Sequence, residues 1–150
     1  MRIEFIAGII IFAIVLVFIV NQTNITFSSL LTDSKTDITK AHNLNSITIL
    51  TEDRGYPANW ESIAQSNPGS VKRVGLASTP YNLSVSKINS LRLNCDLLNN
   101  FDMGQYRLKV YNSTHMLIFC GSDVLNPPTS VEIRYVKING DYGNISLELW

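Results

Sequence analysis

The chain has 150 residues, and its twelve acidic side chains balance its twelve Lys and Arg, for a formal net charge of zero. That balance, with no Lys/Arg cluster interleaved with aromatics, excludes a nucleic-acid binder that works by bulk charge. The length leaves room, beyond an apolar N-terminal run, for one compact domain with its own core rather than two.

The run is Phe5 to Val20, FIAGIIIFAIVLVFIV, preceded by Arg2 and Glu4. As a helix it extends about 24 Å at ~1.5 Å per residue, short of a ~30 Å hydrocarbon core unless Ile3 is drawn in and Arg2 snorkels. Three readings compete. A cleaved secretory signal peptide needs a small-x-small site, and FIVNQT at the end of the run has none. An uncleaved membrane anchor needs only the apolar length. The third gives Glu4 a role, because a carboxylate at the mouth of an apolar run is costly unless paired. Ala7, Gly8 and Ala13 are small residues that permit close helix approach, so Glu4, Phe5, Ala7, Gly8 and Ala13 form the candidate assembly set.

Arg2-Ile3-Glu4-Phe5-Ile6-Ala7-Gly8 and the Ile-rich run after it resemble the N-terminus of archaeal type IV pilin-like proteins of the class III signal peptide group, in which a glutamate opens the apolar helix. The resemblance implies a helix that first anchors in the membrane and then packs in the core of an extracellular filament. There Glu4 would neutralise the amino terminus of a neighbouring subunit. Gly55-Tyr56-Pro57-Ala58-Asn59-Trp60, the stretch from Lys72 to Ser78 and Pro80-Tyr81-Asn82-Leu83 are similar to the globular head of the same group. The partners implied are other copies in a helical homopolymer, the membrane before assembly and a pilus assembly machinery.

Arg2 before the run and no basic residue until Lys35 favour a cytoplasmic N-terminus. Five Asn-x-Ser/Thr sequons follow, at Asn21, Asn24, Asn82, Asn112 and Asn144, and such acceptors are used only outside the cytoplasm. Cys95 and Cys120, the only cysteines, are read as a bridge in an exported domain, with two buried free thiols as the alternative. Residues 21–150 are therefore expected on the cell surface. The boundaries divide the chain into an apolar helix at 1–27 and a head at 28–150 that includes the amphipathic half of the helix.

Asn21 to Asp53 continues the helix, with a looser patch at NQTNITFSS where Asn and β-branched residues lower helix propensity. Leu31, Ser34, Ile38, Ala41, Leu44 and Ile47 recur every three to four residues, a stripe expected to pack on a sheet. Gly55 and Pro57 stop the helix near Asp53. Tyr56 and Trp60 flank a Pro turn and pin a loop to the head; an exposed Trp60 would offer a carbohydrate contact. Val71 to Ala77 reads as a short strand, and Ser84 or Ser86 as the cap of a short helix through Ile88 and Leu91.

Beyond Cys95 the period falls from near 3.6 to 2. Tyr106, Leu108 and Val110 alternate with Arg107, Lys109 and Tyr111, Met116 to Cys120 is nearly all apolar, and the segments around Ile133 and Leu147 alternate likewise. Asn112 to His115 fits one hairpin turn, Pro127-Pro128 a break, and Asn139-Gly140 a second turn. The expected fold is α+β and pilin-like. A long N-terminal helix serving as membrane or filament spine is followed by a meander of four or five mainly antiparallel strands packed on it.

Catalytic chemistry is not visible. His42 and His115 stand at no metal spacing, Asp96 and Asp102 lack a calcium-loop pattern, and no phosphate loop or nucleophile elbow occurs. No enzyme activity, metal or cofactor is expected. Two functions remain: a structural subunit of a type IV pilus-like filament whose head is exposed for adhesion or surface contact, or a single-pass anchored ectodomain that binds or senses without polymerising.

Overall fold

The computed structural model describes the backbone of residues 2–150 and every side chain among them except those of residues 2–5, 7, 25, 27–33 and 100. Three helices, α1 (Arg2–Glu52), α2 (Trp60–Ile63) and α3 (Val85–Leu93), precede most of a sheet. Its strands are β1 (Ala77–Thr79), β2 (Asn82–Leu83), β3 (Tyr106–Asn112), β4 (Met116–Gly121), β5 (Ser130–Ile138) and β6 (Asp141–Leu149). Contacts divide the chain into two units, Met1–Asp37 and Ile38–Trp150.

The first unit is helical. The Asn/Thr-rich patch expected to loosen it does not. Thr23 Oγ1 donates to the Ile19 and Val20 carbonyls at 3.0 and 2.9 Å, and Thr26 Oγ1 donates to the Gln22 carbonyl at 2.9 Å. Hydroxyls that compete with a helix from outside here bond back to its own carbonyls. The expectation of a membrane-spanning spine is corrected. Among the described residues no helix is long and apolar enough to cross a membrane. The physical reason is length: the apolar run from Phe5 to Val20 rises only about 24 Å as a helix against the ~30 Å needed, and Asn21 to Asn24 then turn the helix polar.

In the second unit α1 ends at Glu52, next to the predicted stop. Gly75 shows why the chain beyond it is so closely placed: a Cβ there would run into the Asp53 carbonyl oxygen. The packed face of α1 differs from the predicted stripe. Asn43, Ser46, Ile47, Leu50 and Thr51 are buried, whereas Ile38 and Leu44 are 67% and 45% exposed, and Ala41 is exposed too. Only Ile47 of the predicted stripe is buried; Leu31 lies outside the described side chains. The buried face includes polar residues because Asn43 Nδ2 donates to Ser130 Oγ at 3.0 Å and to the Leu147 carbonyl at 3.1 Å.

The sheet has six strands in the order β1-β2-β5-β6-β3-β4. This corrects both the strand count and the meander. β2 lies parallel to β5, so the sheet is mixed, and the two hairpins meet through β3 and β6 rather than through β4 and β5. A two-residue strand carries no alternation from which to predict it. The Val71–Ala77 strand is also absent as such: only Ala77 belongs to a strand, and Arg73 makes one isolated bridge with Tyr56. The turn signals hold. Asn139 and Gly140 take φ of 53° and 92° between β5 and β6, the left-handed pair that a two-residue hairpin requires.

The core lies between one face of this sheet and the helices, with Leu108, Val110, Ile118, Ile145 and Leu147 meeting Ile47, Leu50, Ile88 and Leu91. Cys95 and Cys120 are joined in a disulfide with Cα atoms 5.4 Å apart, which ties the 3₁₀ segment Cys95–Phe101 to β4. The opposite face is open along β5, where Val131, Ile133 and Tyr135 are exposed, whereas beside β3 Arg107 donates to the Val124 carbonyl of the segment after β4 at 3.1 Å.

Candidate assembly surface

From Ile9 to Val20 every side chain on α1 is exposed, and the large ones, among them Ile11, Phe12, Ile14 and Phe18, range from 46% to 67%. No single stripe is apolar; the helix is greasy all round, which in water leaves each Ile, Leu, Val or Phe short of about 1.5–3 kcal/mol of burial. Gly8 and Ala13 are exposed among them, and a Cβ at Gly8 would meet nothing within 4 Å. The side chains of Glu4, Phe5 and Ala7 lie outside the described residues. Further along, Ile38, Ala41 and Leu44 add an exposed apolar line to the second unit. The same period that predicts them as core marks them equally well as contact residues, because periodicity does not name the partner.

The sequons fall into two environments. Asn21 and Asn24 are exposed on α1; Asn82, Asn112 and Asn144 are half-buried. Asn112 holds its own turn, its Oδ1 accepting from the Thr114 and His115 amides at 3.0 and 2.7 Å. Trp60 is fully buried, with Nε1 donating to the Gly75 carbonyl at 2.9 Å, so it offers no outward carbohydrate contact. Tyr56, its predicted companion, is 63% exposed. Among the described residues no group of three His, Cys, Asp or Glu side chains is placed to hold a metal; His115 is exposed in the β3–β4 turn and Asp96 and Asp102 are exposed around the 3₁₀ segment.

Charge is managed locally. On the open sheet face Glu148 takes Lys109 at 2.9 Å and Arg107 at 3.5 Å, and the Arg107 guanidinium also lies 4.9 Å from the Trp150 ring centroid. Lys87, on α3, is buried at 4% exposure and donates to the Arg54 and Ala77 carbonyls. Burial pushes its ammonium below the ordinary value, against a smaller opposing pull from Glu61. Tyr81 Oη donates to Glu52 Oε1 at 2.6 Å, and that bond raises the phenol's pKa. These interactions hold the fold; none brings a nucleophile and a base together. Compared with family models, curated proteins and solved structures, the chain matches none.

Proposed function

We propose that the protein is a structural subunit of an extracellular, type IV pilin-like filament, built by packing the apolar part of α1 against the same helix of neighbouring copies. The observation that carries this reading is the exposure of Ile9 to Val20 on all sides of the helix. A surface of this kind marks an interaction site rather than a solvated helix. Gly8 and Ala13 favour close approach of a second helix. Glu4 stands before the apolar run, where a carboxylate buried in a bundle would need a cation, and the amino terminus of another copy supplies one. The unit Ile38–Trp150 is then left for adhesion or contact with other surfaces.

The test is electron microscopy of cells producing the protein, with sedimentation of the purified chain. Fibres are expected from the unaltered protein and none from Glu4→Ala, while the variant's second unit keeps its disulfide and its thermal unfolding. Absence of fibres from the unaltered protein, or normal fibres from Glu4→Ala, overturns the assembly mechanism and leaves a surface protein that binds without polymerising.

A further inference from the structure

One end of the open sheet face is a groove rather than a flat surface. Thr79 pairs with Asn82, Asn82 with Lys137 and Lys137 with Tyr142, so these four residues form one row across β1, β2, β5 and β6. Tyr135, two residues from Lys137, projects from the same face. The cavity they line has a volume of about 470 Å³, within the range of small-ligand sites. Tyr135 and Tyr142 are 81% and 73% exposed, unusually bare for side chains that gain so much from burial.

The wall of the groove is held rigidly. Tyr81 takes φ of 60° after Pro80, a conformation that this place in a turn normally gives to Gly or Asn and that a bulky residue rarely adopts. Three bonds keep it there: its amide donates to the Thr51 carbonyl at 2.9 Å, its carbonyl accepts from the Lys137 amide at 2.7 Å, and its hydroxyl binds Glu52. Strain of this kind gathers at binding sites, where preformed geometry reduces the ordering cost of a ligand.

We propose that this groove binds a carboxylate-bearing oligosaccharide, with a hexuronic ring lying between Tyr135 and Tyr142. The apolar C–H face of a pyranose is complementary to the electron-rich face of a tyrosine ring. Thr79 and Asn82 supply donors and acceptors for its hydroxyls. Lys137 selects the acid: its Nζ lies over the Tyr142 ring, 5.6 Å from the centroid, and a sugar that stacks on that ring displaces the ammonium to its edge, where it meets the carboxylate. Among the described residues Lys137 has no ion-pair partner. The site stands whether or not the chain polymerises.

The experiment is calorimetric titration of the 150-residue chain, made in a host that adds no N-linked sugar and kept in a sugar-free zwitterionic detergent. The probes are hexagalacturonate, a hyaluronan hexasaccharide and neutral maltohexaose. At least one acidic probe is expected to bind, with maltohexaose about tenfold weaker or worse, the discrimination a single well-placed charge contact provides. Tyr135→Ala and Tyr142→Ala each weaken acidic binding about tenfold or more. Both positions are exposed, so thermal unfolding stays as in the parent. Lys137→Met removes the preference for the acidic sugars. No binding of either acidic probe at millimolar concentration, equal binding by the tyrosine variants, or a preference for maltohexaose overturns the proposal. So does native protein whose groove is filled by a sugar attached at Asn82.

Discussion

Asn43 on α1 reaches the Leu147 carbonyl of β6 with its Nδ2 at 3.1 Å, in a position with no solvent exposure. Helix and sheet are thus joined by a polar contact at the point where the predicted stripe would have placed an apolar one. Among the described residues the Oδ1 of the same side chain has no partner, so its amide group is half satisfied and the donor side carries the benefit. Asn43→Ala removes the donor from two buried acceptors and is expected to cost about 1–3 kcal/mol. Urea unfolding of the variant beside the parent checks this, and a change within error would show that the contact contributes nothing.

The Cys95–Cys120 bridge closes a loop with a sequence separation of 25. Restricting the unfolded chain over such a loop stabilises the native state by about 3 kcal/mol in the chain-entropy account. Reduction of the purified protein should lower its unfolding free energy by about that amount, and denatured, unreduced protein should take up no thiol label. Two labelled cysteines per chain would refute the bridge.

Lys87 gives the fold a dependence on alkaline pH. Its folded pKa is lowered by burial from an ordinary 10.5, so between the lowered value and 10.5 the unfolded chain binds more protons than the folded one. Stability therefore rises with pH across that window, and below it the buried charge is a standing cost. Tyr106, its pKa raised by burial from 10.0, acts in the opposite sense: above 10.0 the unfolded chain ionises first and stability falls. Unfolding curves from neutral pH upward should show the rise, and Lys87→Met should flatten it. A rise that persists in the variant assigns it to another group.

Sugar attachment is expected first at Asn21, Asn24 and Asn112, and last at Asn144. Asn144 is half-buried within β6, paired on both sides with Tyr111 and Tyr135, so an enzyme cannot reach it without opening the sheet. Asn112 sits at the end of β3 beside a hairpin turn, where backbone is accessible. Intact-mass analysis with site mapping of protein from its native host decides the order; occupancy at Asn144 alone would reverse it, and a bare mass would remove it.

What the sequence determined by itself was local. The end of α1 before Gly55, the hairpin turns at Asn112–His115 and Asn139–Gly140, and the four longer strands follow from stop signals, turn chemistry and period, all of which act between near neighbours; α3 does start after Ser84, but without a side-chain cap bond from it. The cysteine pair was also legible, from its number and the absence of competitors. Only the tertiary structure decided which side of α1 packs, because Asn43 and Ser46 are buried by partners more than eighty residues away in the case of Asn43 and Ser130. It likewise decided the parallel β2–β5 contact, the strand order, the burial of Lys87, and that of the two aromatics expected to pin the loop Trp60 is buried while Tyr56 is exposed. In β5, Val131, Ile133 and Tyr135 form the exposed row while Val136 and Ile138 are buried. An alternating strand names two faces, and which one meets the core is settled by the elements that arrive from elsewhere in the chain.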